Sequence, residues 1–473
     1  MHFYIYPKNW DAEDVVVNLQ KIQSNFSFSF IDDGDEKNSL EMRAEEIRKN
    51  KESLVLICSK YRYFDLAKRL EDKRIENYVN GLKFCAKRIN DYYLEFLKNR
   101  YQTQYSVGLL VTQLPHSDHI ASIIEELQKR NIPIVFFVTS AETYKKYQIK
   151  FKESSVIIAR CDLMAEISFV TLIHAMTHYV KIHSNVISIL NPQGLLDPIQ
   201  NYFYFSREEA DCLVGSRVGF DYIFCHTAKM YKFYKERLGN LIHSSKLVPA
   251  GYPSLDAYIQ SYENVDKIKE ETSSRQTVIV AFTITKIEQG KDICGLDIAT
   301  LKEIISKLLK EYQVVFRPHP EAEKKVFMLE IVEHFKEHEH FIYDVAPRLS
   351  NQIMQKALTI IGNQTSLLQT FPFATLKPAI IFIKDKEIFN RLCIDKSYLV
   401  DDIAHILVHN VEDMMEALCN IQKNLSLSLY QQIKKQRERE RFFILESQVR
   451  LLLIFLKVSY IKRKKMMKAF KVF

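Results

Sequence analysis

The sequence contains little glycine and lacks a glycine-rich phosphate-binding motif. Only 11 of its 473 residues are glycine. Neither GxxxxGK nor GxGxxG occurs, which argues against a P-loop enzyme and against a standard dinucleotide-binding fold. The chain therefore has few places where a glycine-rich loop could cradle a phosphate group.

Paired cysteines and long apolar runs are also missing. The 8 cysteines are scattered, and none of them forms a CxxC pair. Such cysteines are typical of buried thiols in a reducing compartment. The sequence has no apolar run of about eighteen residues and no signal-peptide pattern at its amino terminus, so we expect neither a transmembrane span nor a secretory leader. These absences predict a cytoplasmic protein.

Positive charge is concentrated at the carboxyl terminus. The formal net charge is +8, and seven cations but no acid lie between Lys457 and Phe473. The rest of the chain is nearly neutral, which disfavours nucleic-acid binding. Because the tail mixes lysines with Ile461, Met466 and Phe470, it resembles a basic amphipathic helix that binds an anionic membrane surface. The alternative is a C-terminal helix that packs on the body and has a frayed basic end.

The length and the order of patterns predict several α/β domains. A chain of 473 residues with 47% hydrophobic and 26% charged residues is long enough for two or three globular cores. Strand-like and helix-like segments alternate, as they do in parallel sheets. The predicted segments are an N-terminal α/β extension (1–100), a second α/β domain (101–256), a linker (257–275), a third α/β domain (276–427) and C-terminal helices (428–473).

One candidate site follows a predicted buried strand that ends at Phe316. The next residues are Arg317-Pro318-His319-Pro320. Two prolines that flank a histidine fix the backbone and disfavour a helix there. The ring of His319 should therefore lie at the carboxyl end of a strand, where open α/β sheets bind ligands. Arg317 is a permanent cation that suits phosphate.

A second candidate corner follows the apolar segment Ala357–Gly362. The residues Asn363-Gln364-Thr365-Ser366 come next, and a helix is predicted from Leu367. Two hydroxyl groups at a strand-to-helix turn form a cradle for phosphate, with helix N–H groups behind them. We expect the two corners to lie on neighbouring strand ends of one sheet and to form a nucleotide site.

Together these motifs resemble the donor half of a GT-B transferase. The pattern of Arg-Pro-His-Pro, a second strand, a Thr/Ser corner and Lys377-Pro378 is most similar to the CDP-glycerol glycerophosphotransferases of teichoic-acid and capsule synthesis. Bacterial sialyltransferases and polysialyltransferases use similar His-Pro and paired Ser/Thr motifs to hold CMP. The resemblance implies a GT-B fold, in which two Rossmann-like domains face a cleft, with an N-terminal extension and a basic C-terminal helix added.

The resemblance also implies roles for the donor-side residues. His319 would contact a donor phosphate or the CMP leaving group, whereas Arg317 would add charge or would pair with a nearby carboxylate and hold the corner. Thr365 and Ser366 would stabilise the leaving phosphate. Further donor contacts would come from Thr283, Thr285 and Asn363. Because no DxD motif follows an apolar strand in either half, we expect metal-independent chemistry without a cofactor.

Two positions depart from the family pattern. The family has a His-Gly after an acceptor-side strand, and that histidine is the general base, whereas this chain has Gln193-Gly194. Asn363 stands where the family usually has aspartate. The base lies elsewhere, the acceptor differs, or the chain is a divergent branch. Candidate bases are His116, His119, His183 and Asp197; a helix predicted around His174, His178 and His183 would give these three histidines packing or surface roles.

The sequence therefore predicts a transferase of surface-polysaccharide synthesis that binds peripherally to the inner face of the cell membrane. It would move glycerol phosphate or a sugar from a cytidine-activated donor to a glycan or lipid-linked acceptor. One alternative is a glycosyltransferase that uses CMP-Kdo, CMP-sialic acid or a UDP-sugar. The other is a catalytically inactive GT-B module that binds glycan or partner proteins.

Overall fold

The chain folds into two compact units. The computed structural model describes residues 1–23, 25–101, 106–113, 116–152, 154–176, 180–195, 197–263, 275–284, 287, 290, 292–319, 322–346, 349–440 and 450–457. Unit 1 comprises Met1–Asn191, Phe220–Tyr222 and Val449–Phe473, and unit 2 comprises Pro192–Gly219 and Ile223–Gln448.

Unit 1 begins with a four-stranded parallel sheet. Its strands are β1 (His2–Tyr6), β2 (Ser27–Phe30), β3 (Leu54–Ile57) and β4 (Tyr78–Asn80). They lie in the order β2-β1-β3-β4. The connecting helices are α1 (Trp10–Ile22), α2 (Leu40–Lys49), α3 (Tyr63–Asp72) and α4 (Gly81–Tyr101). Tyr4, Val55 and Leu70 belong to the core that these elements bury between them.

Five more parallel strands of unit 1 lie in the order β9-β8-β5-β6-β7. They are β5 (Val107–Val111), β6 (Ile134–Val138), β7 (Ser155–Ile158), β8 (Leu172–Ala175) and β9 (Ile187–Leu190). The helices are α5 (His116–His119), α6 (Ala121–Lys129), α7 (Ala141–Lys150) and α8 (Cys161–Met164). The helix prediction was wrong for His174, which is fully buried in β8, and for His183, which lies in no helix; His178 lies outside the described residues. A short apolar run does not distinguish a buried strand from a helix by its periodicity.

Unit 2 contains a six-stranded sheet in the order β14-β13-β12-β15-β16-β17. Its strands are β12 (Thr277–Ala281), β13 (Gln313–Phe316), β14 (Phe341–Tyr343), β15 (Ala357–Gly362), β16 (Ala379–Phe382) and β17 (His405–Val408). All neighbouring pairs are parallel. This is the strand order of a doubly wound nucleotide-binding fold, in which ligands bind where the order reverses, here between β12 and β15.

The predicted strands before both candidate corners are confirmed, but their expected adjacency is wrong. Strand β12 lies between β13 and β15, so the His319 corner and the Ser366 corner are separated by one strand. Strands are about 4.8 Å apart, which puts these two strand ends about 10 Å apart. The corner after β12, which contains Thr283, occupies the middle position. Strand order depends on long-range packing and is absent from the local pattern of the sequence.

The remaining strands and helices of unit 2 are not part of this sheet. Strands β10 (Tyr222–Cys225) and β11 (Leu247–Pro249) pair in parallel. The helices are α9 (Asn201–Tyr204), α10 (Arg207–Gly215), α11 (Ala228–Leu238), α12 (Pro253–Glu263), α13 (Ile298–Leu309), α14 (Val326–Phe335), α15 (Asn351–Lys356), α16 (Leu367–Thr375), α17 (Ile388–Leu392), α18 (Val411–Asn424) and α19 (Leu427–Glu440). Among the described residues, no helix is both long and apolar enough to cross a membrane.

Candidate functional site

The centre of the candidate site is the point where β12 and β15 end side by side. A Cβ atom on Gly362 would lie 2.2 Å from the carbonyl oxygen of Ala281, so only glycine allows the two strands to approach this closely. Beyond this contact, the backbone N–H of Thr283 donates to Asn363 Oδ1 over 2.8 Å. The side chain of Gln364 donates to the carbonyl of Thr283 over 3.2 Å. The corners after β12 and β15 are therefore joined directly.

Asn363 is buried and binds a carboxylate as well as the backbone. Its Nδ2 group donates to Asp292 Oδ2 over 2.9 Å. Burial raises the pKa of Asp292 to about 6, although the carboxylate also accepts from the backbone N–H of Leu296. An aspartate at position 363 would face this carboxylate. The contact with Asp292 therefore gives a physical reason why this chain has asparagine and not aspartate at position 363.

The corner after β15 leads directly into α16. The N–H of Leu367 donates to Thr365 Oγ1 over 3.3 Å, and Ser366 occupies the cap position without using its own side chain as the cap. Both Thr365 and Ser366 are partly exposed. Two hydroxyl groups at the positive end of a nine-residue helix suit an anionic group.

Helix α16 contains a proline, and a histidine side chain replaces the backbone hydrogen bond that this proline cannot make. Pro372 has no N–H, so it cannot bond to the carbonyl of Leu368 in the preceding turn. His405 Nε2 lies 3.0 Å from that carbonyl and donates to it, while its Nδ1 accepts from the N–H of Asp401 over 2.9 Å. Burial lowers the pKa of His405 to about 4. The neutral ring thus holds the first turn of α16 against β17.

The corner after β13 displays a histidine, but its arginine is engaged. Arg317 forms an ion pair of 2.7 Å with Asp344, and its second nitrogen donates to the carbonyl of Ala346. This geometry favours the alternative in which Arg317 holds the corner. His319 is partly buried, and its carbonyl accepts from the N–H of Ala322 over 2.8 Å. Contact between His319 and the donor phosphate stays a prediction.

The turn that contains Gly194 lies beside the Ser366 corner. A Cβ atom on Gly194 would lie 3.3 Å from Ser366 Cβ, so the glycine allows close contact. Gln200 Nε2 donates to the carbonyl of Gln364 over 2.8 Å. Gly194, predicted for the acceptor side, therefore lies beside Ser366, and Gln193 precedes it in the chain. Gln193 itself is exposed.

A buried histidine that the sequence analysis missed supports this turn. His226 is 1% exposed and directly follows β10. Its Nδ1 lies 3.1 Å from the carbonyl oxygen of Gly194, which requires Nδ1 to carry the proton. The ring stacks on Tyr252 with a centroid distance of 4.9 Å. A Cys-His-Thr sequence matches no familiar motif, so only the fold identifies this residue.

Asp197 holds the same turn through a buried ion pair. Its carboxylate lies 2.7 Å from the guanidinium of Arg217, which is 2% exposed. Asp197 also accepts from the backbone N–H of Gln193 over 3.2 Å. Despite burial, the nearby carboxylate raises the pKa of Arg217 above its ordinary value. These contacts favour a structural role for Asp197 over the predicted role of a base.

The other predicted residues lie in unit 1 or outside the described residues. His116 and His119 bound α5, after the central strand β5. His116 is 4% exposed, and its Nδ1 accepts from the N–H of Thr112 over 3.2 Å. The N–H of Asn185 donates to Nδ1 of His183. Thr285 lies outside the described residues, and among those that are described no cluster of metal-ligating side chains occurs.

Part of the chain matches a known protein family. Residues 217–447 match the model of the family described as CDP-glycerol:poly(glycerophosphate) glycerophosphotransferase. The matched residues make up just under half of the chain. They contain β10 to β17, the joined corners after β12 and β15, and His226. The predicted resemblance is confirmed, and the chain is a transferase-type enzyme. No curated protein sequence matches the chain at a significant level.

Solved structures extend the similarity beyond residues 217–447. A structure of the wall teichoic acid polymerase TagF matches with a TM-score of 0.53 and 12% identity, covering 86% of this chain and 99% of that one. A UDP-N-acetylglucosamine 2-epimerase from Listeria monocytogenes matches with a TM-score of 0.50 and 12% identity, covering 76% of this chain and 98% of that one. At such identity the similarity shows the fold alone. The predicted α/β fold of GT-B type is confirmed.

Proposed function

We propose that this chain transfers glycerol phosphate from CDP-glycerol to a glycan or lipid-linked acceptor during synthesis of a surface polysaccharide. The observation that carries the proposal is the Ser366 corner at the reversal point of the sheet in unit 2, within the matched residues 217–447. One of the similar TagF structures is of a crystal soaked with CDPG. A CDP-linked donor fits a corner that presents hydroxyl groups and a helix N-terminus to phosphate.

The reaction would be a displacement at phosphorus. An acceptor hydroxyl would attack the phosphorus that carries glycerol, a new P–O bond would form, and the P–O bond to CMP would break. Negative charge develops on the leaving phosphate, where Thr365, Ser366 and the amino end of α16 would stabilise it. His319, at the end of β13, would contact the same phosphate. The hydroxyl proton would pass to a base on the enzyme.

The identity of the base is a separate proposal. Gln193 cannot accept a proton, and the ion pair with Arg217 engages Asp197. We therefore place His119, which is partly exposed, first among the predicted bases, and compare it with His116, whose Nδ1 accepts from the N–H of Thr112. Measuring the transfer rate of His116→Ala and His119→Ala against pH tests them, because loss of a base removes the ascending limb of the profile. Unchanged profiles in both variants would contradict this assignment.

Transfer of labelled glycerol phosphate tests the function itself. The substrates are CDP-glycerol with a labelled glycerol and a lipid-linked glycerol-phosphate primer, and CMP release is followed in parallel. Ser366→Ala should slow transfer at least about 10-fold, since a lost donor to a developing anion has a large effect. The matched control is Ser428→Ala, an exposed serine in α19. Equal rates for Ser366→Ala and wild type would reject this role for the corner.

Gln193 favours a second candidate function. With glutamine at the position of the family's base, unit 2 would bind a cytidine nucleotide or glycan without catalysis. Nucleotide binding together with no turnover of any donor and acceptor pair would support this candidate. Turnover by wild type would exclude it.

The membrane contact is a further part of the proposal. Residues 458–473 lie outside the described residues, so the basic amphipathic tail is supported by its composition alone. A chain truncated before Lys457 should lose sedimentation with phosphatidylglycerol vesicles, because it loses the cations that attract them. Equal sedimentation of the full and truncated chains would contradict a membrane anchor in the tail.

A further inference from the structure

Three large aromatic side chains are exposed at one edge of the N-terminal sheet. Trp10 is 75% exposed, Tyr61 is 89% exposed and Phe64 is 84% exposed. We name these three residues the aromatic edge. Water-exposed aromatic rings of this size, grouped on one surface, are typical of an interaction site. They lie in unit 1 and are not part of the site proposed for the transferase reaction.

The strand order brings the loops of the aromatic edge together. Trp10 follows β1, and Tyr61 and Phe64 follow β3, which pairs with β1 in parallel. Asn9 Nδ2 donates to the carbonyl of Cys58 over 2.9 Å and ties the two loops. The order β2-β1-β3-β4 reverses between β1 and β3. The carboxyl ends of strands at such a reversal are where open α/β sheets bind ligands.

Charged groups cover one face of two of the rings. The guanidinium of Arg160 lies 5.3 Å from the centroid of Trp10, and the ammonium of Lys60 lies 5.6 Å from that of Tyr61. Lys60 also forms an ion pair of 2.9 Å with Asp162. Arg160 and Asp162 are two positions apart, so the contacts form a continuous set from Trp10 to Tyr61. Three polar groups therefore lie between the two rings.

The cations of this surface are balanced by carboxylates. Arg160 lies near the carboxylate of Asp11 and 3.4 Å from that of Asp14, and Asp162 pairs with Lys60. A surface without excess positive charge does not attract a polyanion or an anionic membrane. Insertion of the rings into lipid would also take the Lys60–Asp162 pair out of water, which is costly. A neutral ligand that carries its own hydroxyl groups avoids both problems.

We propose that the aromatic edge binds a glycan composed of pyranose rings. The apolar faces of sugar rings stack on Trp10 and Tyr61, and their hydroxyl groups bond to Lys60 and Asp162. An amphipathic aromatic surface with a few fixed polar groups provides both kinds of contact. This binding is a second activity of the chain and stands independently of the proposed transferase reaction.

The single tryptophan of the chain is Trp10, so its fluorescence reports on this surface alone. The full chain is titrated with cellohexaose, maltohexaose and the hexamer of N-acetylglucosamine. At least one of these should change the emission in a saturable way. Tyr61→Ala should weaken that response at least about threefold, consistent with the loss of a stacked ring. Leu241→Ala, which alters a residue 72% exposed in unit 2, should leave it unchanged.

Three outcomes would overturn the proposal. The first is the absence of an emission change with all three oligosaccharides. The second is a response that Tyr61→Ala leaves intact. The third is a blue shift with phosphatidylglycerol vesicles but not with oligosaccharides, which would identify a lipid contact instead. Circular dichroism of Tyr61→Ala, expected to match wild type for so exposed a residue, separates lost binding from lost folding.

Discussion

Replacing Asn363 with aspartate tests the electrostatics at the centre of the candidate site. The side-chain amide donates to Asp292 over 2.9 Å and to the carbonyl of Thr283 over 3.3 Å. Asn363→Asp removes both donors and turns an amide–carboxylate contact into one between two carboxylates. The acceptor Oδ1 is kept, so the bond from the N–H of Thr283 can persist. The change therefore alters the contact with Asp292 and also removes the longer bond to the carbonyl of Thr283.

The expected cost follows from the lost contact and depends on pH. A hydrogen bond to a charged group contributes about 1.5–3 kcal/mol, and Asn363→Asp should lower the free energy of unfolding by about 2–4 kcal/mol at pH 8. Burial raises the pKa of Asp292 to about 6 in the folded wild type. Its contribution to stability is therefore greatest below pH 4 and is lost as the pH rises through 6. At pH 5 one of the two carboxyl groups at positions 363 and 292 carries a proton and donates it in a hydrogen bond to the other, so the loss of stability should be smaller.

The assay is urea unfolding at pH 5 and pH 8 of four proteins: wild type, Asn363→Asp, Asp292→Asn and the double variant. The double variant reverses the amide and the carboxylate, and it should recover at least half of the loss at pH 8. The coupling free energy between the two positions should be about 2 kcal/mol. If Asn363→Asp unfolds like wild type at both pH values, the contact with Asp292 does not govern this corner.

Other expectations concern the elements that hold the two corners. Since burial lowers the pKa of His405 to about 4, the contribution of this histidine to stability is complete above about pH 6.5 and is lost as the pH falls through 4. In His405→Gln the urea midpoint should therefore change less between pH 7 and pH 4 than it does in wild type. An equal change in both proteins would contradict this. Gly194→Ala puts a Cβ atom 3.3 Å from that of Ser366 and should lower the affinity for CDP in calorimetry, whereas Gly215→Ala, whose Cβ atom meets nothing within 4 Å, should not. His226→Phe removes the Nδ1 donor and should slow transfer more than His226→Asn, which keeps an N–H donor; the opposite ranking would exclude this hydrogen bond.

The local parts of the site could be predicted from the sequence. Apolar runs before Arg317 and before Asn363 are read as strands because buried parallel strands are short and continuously hydrophobic. The start of α16 follows from the polar corner before Leu367. These features depend on residues that are close in the chain. They also carry the family resemblance that the comparisons confirm.

The long-range parts of the site could not be predicted in this way. The position of β12 between β13 and β15 depends on how helices pack on the two faces of the sheet. His226 contacts Gly194 across 32 residues, and Asn363 contacts Asp292 across 71. No local spacing encodes either pair. Arg317 illustrates another limit of local patterns. From the sequence its guanidinium could bind either a phosphate or a carboxylate, and only the fold shows the ion pair with Asp344.

The most direct test of the central claim is a thermal shift of the full chain with CMP, CDP, UMP, UDP and GDP. Wild type, Ser366→Ala, His319→Ala and the control Ser428→Ala are compared side by side. We expect CMP and CDP to stabilise wild type and Ser428→Ala, and we expect both site variants to lose most of this stabilisation. Absence of a shift with every nucleotide, or an equal shift in wild type and Ser366→Ala, would contradict it.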